Sequence, residues 1–224
     1  MTTPPMDSHF WESLYQQDTP PAYSIGRPQP EFAALIDGGK VRSDVLDAGC
    51  GHAALSLELA KNGYTVHGLD DSATAIAAAT AAAERQALQT ATFEQAEITS
   101  FGGHDERFNT IMDSGLFHVL PPDRRQDYLQ CIHRAAAPQA SLFILAFAVG
   151  LVGNNRVPGP IGLTEDELRE AVSVLWTVNE LRPATIYAKP PDPSTAEPDL
   201  TGGREPDDTG LIGFPAFLLS AHKR

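Results

Sequence analysis

Val45-Leu46-Asp47-Ala48-Gly49-Cys50-Gly51-His52-Ala53-Ala54, followed by Gly68-Leu69-Asp70, decides the fold of this chain. The first stretch reads as a buried strand, a glycine turn and the opening of a helix. The second closes the next strand on an acid. Gly49 and Gly51 lack a Cβ, so the backbone can turn tightly and lie against a ligand. Asp70 stands 19 residues after Gly51, at a strand end where a carboxylate accepts both hydroxyls of a ribose. The spacing Gly49-x-Gly51-x-x-Ala54 also fits the loose dinucleotide pattern, which discriminates little when taken alone.

Asp47 discriminates. It lies two residues before the first glycine, at the mouth of the first strand. A carboxylate there suits a pyrophosphate badly, because two anions would share a partly desolvated turn. It suits an ammonium or sulfonium group. The expected ligand is an adenosine-containing molecule with positive charge near Asp47. A helix-capping or loop-ordering aspartate is the plainer alternative.

Outward from this stretch, strand and helix alternate. Residues 41–47 predict a strand, 53–62 a helix, 65–70 a strand and 73–89 an alanine-rich helix with Ser72 as N-cap. Strands follow at 92–95 and 108–113, then a helix at 123–137 entered through Pro121-Pro122. Residues 141–149 are apolar on both faces, as in the middle of a covered parallel sheet. Five strands with helical crossovers imply a doubly wound α/β sheet.

The flanks differ in character. Residues 1–40 read as a proline-punctuated segment with two short helices, 9–17 and 31–36, and an extended stretch at 19–25. In the last third, Thr164-Glu165-Asp166-Glu167 matches a capping box opening a helix to about residue 175. Residues 176–189 and 212–223 predict two further strands. Residues 190–210, rich in Pro, Asp, Gly and Thr, read as a mobile lid or as disorder. The expected organisation is one domain over 1–224: a helical cap (1–40), a ligand-binding core (41–150) and C-terminal strands (151–224).

Composition narrows the partners. The 224 residues suffice for one full core, with 42% hydrophobic and 20% charged residues. A formal net charge of −13 would repel phosphate backbones and anionic membranes, which leaves a small molecule as the expected partner. The two cysteines, Cys50 and Cys131, form no CxxC pair and no Cys/His cluster at metal spacing, so neither disulfide nor zinc is expected. Cys50 reads as a small buried filler rather than a nucleophile. No signal peptide is visible at the first residues, and the longest apolar run, 142–152, is 11 residues and too short to span a bilayer. The expected compartment is the cytosol.

Residues 45–60, Gly68-Leu69-Asp70, Ala96-Glu97-Ile98 and Asp113-Ser114-Gly115-Leu116-Phe117-His118 resemble the successive motifs of class I S-adenosylmethionine-dependent methyltransferases. Trp11-Glu12-Ser13-Leu14-Tyr15, Thr19-Pro20-Pro21, Ile25-Gly26-Arg27-Pro28-Gln29-Pro30 and Leu163-Thr164-Glu165-Asp166-Glu167-Leu168 carry the resemblance further. They are similar to the mycobacterial heterocyclic-toxin methyltransferases, of the thiopurine and tellurite-resistance branch. The resemblance covers nearly the whole chain except 190–210. It implies a seven-stranded Rossmann-like sheet, five strands parallel and two forming a C-terminal antiparallel hairpin.

It also implies roles. The cofactor would be S-adenosyl-L-methionine, with S-adenosyl-L-homocysteine as product. Asp47, Gly49 and Gly51 would hold its methionine end, Asp70 with Asp71 beside it the ribose, and Glu97 and Ile98 the adenine. Asp113 and Ser114 would face the methionyl part and the methyl group. Tyr15, Tyr23 and Arg27 would close the pocket, Arg27 near the cofactor carboxylate. Two departures stand out: Gly51-His52-Ala53 replaces Gly-Thr-Gly, and Tyr23 stands where tryptophan is expected.

A sulfonium methyl is already activated, so transfer is expected by in-line displacement without a metal, the protein orienting and desolvating the acceptor. His118 is the candidate general base, with an orienting hydrogen-bond role as its alternative. Trp11, Phe117, His118, Val152 and Tyr187 are candidates for an apolar acceptor pocket, though core packing explains such residues equally well. Asn154-Asn155-Arg156 would line its mouth or form a polar turn. His104 and His133 read as surface or helix positions. Two rival functions stay open: a nicotinamide-dependent oxidoreductase, which gives no reason for Asp47 or Glu97, and a non-catalytic binding module. No Asn-Pro-Pro-Tyr or Asp-Pro-Pro-Tyr motif follows the fourth strand, which disfavours nucleic-acid or protein acceptors.

Overall fold

The computed structural model describes residues 8–17, 19–149, 162–190 and 204–224. A seven-stranded sheet runs in the order β3-β2-β1-β4-β5-β7-β6. Its strands are β1 (Val45–Ala48), β2 (Val66–Asp70), β3 (Ala91–Gln95), β4 (Phe108–Ser114), β5 (Ala136–Phe147), β6 (Trp176–Ala188) and β7 (Ile212–Lys223). The first five are parallel; β7 pairs antiparallel with both β5 and β6. The doubly wound sheet with its C-terminal antiparallel pair is therefore as expected.

Alternation along the strands assigns each side chain to a face. Val45, Met112, Phe143 and Leu145 pack with α2 (Pro30–Asp37) and α3 (Ala54–Lys61). Leu46, Ile111, Leu142 and Ile144 pack on the other side with Tyr128, Leu129 and Ile132 of α5 (Arg125–Ala135) and Leu168 and Val172 of α6 (Glu165–Ser173). Two apolar layers thus sandwich the sheet. The strand order reverses at β1 and β4, whose register places Ala48 beside Asp113. That is the crevice where open α/β sheets bind ligands.

Several boundaries differ from the sequence reading, each for a local reason. The first strand begins at Val45, not 41, because the Thr110 hydroxyl accepts from the Arg42 N–H and donates to its carbonyl, replacing ladder bonds. Helix α4 (Ala73–Arg85) stops short of 89: Ala87 turns left-handed (φ 53°) and Leu88 folds back, its N–H bonded to the Ala83 carbonyl. Its Ser72 N-cap is as expected, accepting from the Ala75 N–H at 3.1 Å. The helix read at 123–137 is a 3₁₀ turn followed by α5, which ends at Ala135 because Ala137 precedes Pro138. β5 starts at once, at Ala136, with an irregular register around Gln139 (φ 61°). Residues 19–25 hold a turn, the Ser24 N–H bonding the Pro21 carbonyl. The capping box at Thr164 and Glu167 is present. Helix α1 (Ser8–Tyr15) packs on α4.

Candidate active site

At the carboxyl ends of β1, β2 and β4 stand three acids, Asp47, Asp70 and Asp113, all buried. Each is held differently. Asp47 faces α3, and its Oδ2 accepts from the Ser56 hydroxyl at 2.6 Å. Burial pushes its carboxyl up to about 7, against the opposing Ser56 hydrogen bonds, with Asp70 and Asp113 adding repulsion. No ion pair reaches it among the described residues. A buried carboxylate in that state fits a ligand cation, which would supply the missing countercharge.

Asp70 braces the glycine turn. Its Oδ2 accepts from the Gly51 N–H at 2.8 Å and its Oδ1 from the Ser72 N–H at 3.0 Å. Burial still raises its pKa. Gly49 and Gly51 both take left-handed φ values, 72° and 50°. A Cβ on Gly51 would lie 2.5 Å from the Tyr15 hydroxyl, and one on Gly49 would lie 3.0 Å from Leu116. Ala53 is left-handed as well (φ 60°), which accounts for the glycine expected at that position. Asp71 follows at the strand end, half-buried, its carbonyl accepting from Gln95. Cys50 packs against Gly68, half-buried, and burial pushes its thiol pKa up.

Asp113 has its side chain committed to the loop after β4. Oδ1 accepts from the N–H groups of Leu116 and Phe117 and Oδ2 from the Tyr128 hydroxyl at 2.8 Å. Burial lifts it to about 6. Ser114 ends β4, half-buried. Glu97 gathers Thr99, Ser100 and Arg124: burial opposes its ionisation, and the hydrogen bonds from Ser100 and Thr99 prevail, so its pKa falls. Ile98 lies in the core with Phe101.

The loop fixed by Asp113 carries His118 into the protein. His118 is 3% exposed, and burial with the nearby Arg125 charge holds its pKa down to about 3. Its Nδ1 accepts from the Phe147 N–H at 3.5 Å, with the two rings edge to face at 4.7 Å. In that tautomer Nε2 carries the hydrogen. Phe147 in turn meets Phe214 edge to face at 5.9 Å. Phe117, expected in the acceptor pocket, is fully buried instead, packed on Tyr128 in the core. The loop's first turn directs it inward while His118 faces β5.

The N-terminal segment closes over the turn. Tyr15 is buried, edge-on to His52 at 5.0 Å, and accepts from the Tyr23 hydroxyl at 3.3 Å. Burial pushes Tyr23 up to about 12 and Tyr15 further. Trp11 is half-buried against Phe10. Arg27 is exposed, and its charge acts on Asp207. Tyr187 is held through its backbone: its N–H donates to Gln29 Oε1 and its carbonyl accepts from Gln29 Nε2. Val152, Asn154, Asn155 and Arg156 lie outside the described residues, as does most of 190–210.

The sequence reading missed Glu12, Gln29, Ser56 and Tyr128. Glu12 clasps the N-terminus of α4, accepting from Ser72 Oγ at 2.6 Å and Thr74 Oγ1 at 2.5 Å. Ser56 left a visible signal, as a polar residue within the apolar run of α3. The others meet their partners across long sequence separations and left none.

Comparison with known proteins identifies the family. Residues 45–139 match a family described as a methyltransferase domain. The chain is 42% identical to the 2-heptyl-1-hydroxyquinolin-4(1H)-one methyltransferase of Mycobacteroides abscessus, over 96% of each chain. A solved structure concerning the conversion of a disulfide bond into a thioacetal group during echinomycin biosynthesis superposes with a TM-score of 0.80 at 30% identity. It covers 96% of this chain and 92% of that one. A SAM-dependent methyltransferase from Methanosarcina mazei shares the fold, with a TM-score of 0.65 at 21% identity over 88% of this chain and 98% of that one. The chain belongs to the class I S-adenosylmethionine-dependent methyltransferases.

Proposed function

We propose that the chain moves the methyl group of S-adenosylmethionine to a hydroxyl oxygen on a planar N-heteroaromatic acceptor of the 1-hydroxyquinolin-4-one kind. The observation that carries this is the near full-length identity to the M. abscessus enzyme, whose name specifies that acceptor. The local chemistry supports it. When bound, the cofactor supplies an electrophilic methyl group on a sulfonium.

The residues of the chain do the rest. Asp47 neutralises positive charge on the donor, Asp70 and the glycine turn hold its ribose, and Glu97 stands towards the adenine. Asp71, Ile98 and Ser114 border that site, and Asp113 shapes its floor through the loop that it braces. Tyr15 excludes water from above, with the exposed Tyr23 hydrogen-bonded to its hydroxyl. Phe147 and Phe214, set edge to face, offer an apolar corner for an aromatic ring, with Tyr187 beside it on the neighbouring strand, and Trp11 is assigned to the same pocket. His118 contributes an Nε2–H that donates to the acceptor oxygen and aims it at the methyl group. A hydroxyl on such a ring ionises readily, so a strong base is not required. This favours His118 as a positioning group over a general base.

The organisation follows the same reading: one domain, with residues 1–40 as a cap on the core. Both cysteines are free thiols and the net charge is −13, which support a cytosolic enzyme acting on a small molecule rather than on nucleic acid. No described helix is long and apolar enough to cross a membrane.

The test is methyl transfer from labelled S-adenosylmethionine to three acceptors, read by mass spectrometry: a 1-hydroxyquinolin-4-one, the same ring without the hydroxyl, and a heteroaromatic thiol. The expected product is the methoxy compound from the first alone. Preferential methylation of the thiol or of ring nitrogen would overturn the acceptor assignment.

A further inference from the structure

Away from the crevice, β2, β3 and the loop before β4 bring two imidazoles and a carboxylate to one point. His67 and Glu94 project from the same face of the sheet, since His67 pairs with Thr92 and Leu69 with Glu94. His104 descends onto them from the loop. His67 Nε2 and His104 Nε2 both approach the same atom, Glu94 Oε2, at 3.2 and 3.0 Å. All three potential ligand atoms lie within 4.8 Å of one another. No sequence motif announces the group, because it is assembled across two strands and a loop.

We infer that His67, Glu94 and His104 form a binding site for one divalent cation of zinc type, with a fourth position open to solvent. The donor set, two imidazole nitrogens and a carboxylate oxygen, selects such a metal over calcium or magnesium. In a tetrahedron with bonds of 2.0–2.1 Å, ligand atoms stand about 3.4 Å apart. The two measured edges are already close to that. The third, between the imidazoles, closes by movement of the loop that carries His104.

The surroundings supply both support and competition. Thr92 Oγ1 lies 2.8 Å from His67 Nδ1, so once a metal displaces the Nε2 proton that now faces Glu94, Nδ1–H has an acceptor to hold the ligating imidazole in place. His67 is buried and His104 mostly so, whereas Glu94 is half-exposed, which leaves the open position on the solvent side. Arg107 is the competitor: its Nη1 lies 2.9 Å from His104 Nδ1. That contact keeps the hydrogen on His104 Nε2, where the metal must bind. On metal binding the Nε2 proton leaves, Nδ1 takes up a proton to become the donor, and Arg107 swings away towards Asp44, its present partner at 3.6 Å. The metal would pin the sheet edge β3 and the 101–107 loop to β2. Asp70 lies three residues along that strand, about 10 Å away.

The test uses the full chain and zinc chloride in the presence of a competing chelator, with titration calorimetry and thermal melts. The expected result is one zinc per chain and a raised melting temperature. Glu94→Gln and His104→Ala should each weaken zinc binding at least about tenfold, with S-adenosylmethionine affinity unchanged as the check on folding. Arg107→Gln should tighten it, since the competing cation is gone. Zinc binding that is absent, or equal in wild type and both ligand variants, would overturn the site. So would weaker binding by Arg107→Gln.

Discussion

The Gly51 N–H donates to Asp70 Oδ2 at 2.8 Å, so the turn after β1 is fastened to the end of β2 by one of the carboxylates assigned to the cofactor. On the proposed function Asp70 has two tasks, shaping the turn, as its hydrogen bonds show, and leaving lone pairs for the ribose. The turn is further confined by Tyr15, whose hydroxyl lies where a Gly51 side chain would begin. Gly51→Ala should cost about 1–2 kcal/mol from the left-handed backbone alone, and weaken S-adenosylmethionine binding about 5–30-fold. Tyr15→Phe in the same chain should restore part of that loss, because it removes the clashing oxygen. Calorimetry on the two single variants and the double variant reads the coupling. Additive losses would contradict the contact.

Asp47 and His118 make opposite pH contributions. Burial raises Asp47 from 3.8 to about 7, so the folded chain holds the extra proton. Its stabilising contribution is complete below about pH 4 and is lost as pH rises through 7. Burial lowers His118 from 6.5 to about 3; its contribution is complete above 6.5 and is lost as pH falls towards 3. Thermal melts of Asp47→Asn against wild type, from pH 4 to 8, should show the variant gaining relative stability as pH rises. A constant difference across that range would remove Asp47 from the account of pH dependence.

His118→Asn should lower kcat about 10–100-fold, the scale of one hydrogen bond to a charged oxygen, with S-adenosylmethionine affinity within about twofold of wild type. The wild-type and His118→Asn kcat profiles should have the same shape near 6.5, since the imidazole is neutral throughout. An inflection there that disappears in the variant would make His118 the base after all.

Glu12 ties the cap to the core. Its carboxylate is held down to about 2 by the hydroxyls of Ser72 and Thr74. Glu12→Gln should loosen α1 without unfolding the sheet. Hydrogen exchange should then speed up across residues 8–17 while β1 and β4 stay protected. Unchanged exchange in α1 would show that the clasp contributes nothing to holding the cap.

The legible parts of this chain were those set by local spacing. The strand, the glycine turn and Asp70 lie within 26 residues, from Val45 to Asp70, and their local structure follows from spacing alone. The capping box at Thr164 and the N-cap Ser72 are likewise local. What escaped depended on tertiary partners. Asp113 was expected to face the methyl group, yet Tyr128, 15 residues on, takes its second oxygen. Phe117 and His118 are neighbours, and only the 3₁₀ turn sends one into the core and the other to Phe147. β5 begins among residues that continue a helical pattern, because Pro138 ends the helix and an irregular register absorbs the excess. The pairings of Glu12 and Gln29 with distant elements have no periodicity to betray them.

The central claim is that Asp47 and Asp70 hold the methyl donor, one by charge and one by hydrogen bonding. Titration calorimetry of S-adenosylmethionine into wild type, Asp47→Ala and Asp70→Ala tests it most directly, with thermal melts confirming that each variant is folded. The account predicts that both variants bind at least about tenfold more weakly, a loss of about 1.4 kcal/mol or more. Wild-type affinity in both folded variants would contradict it.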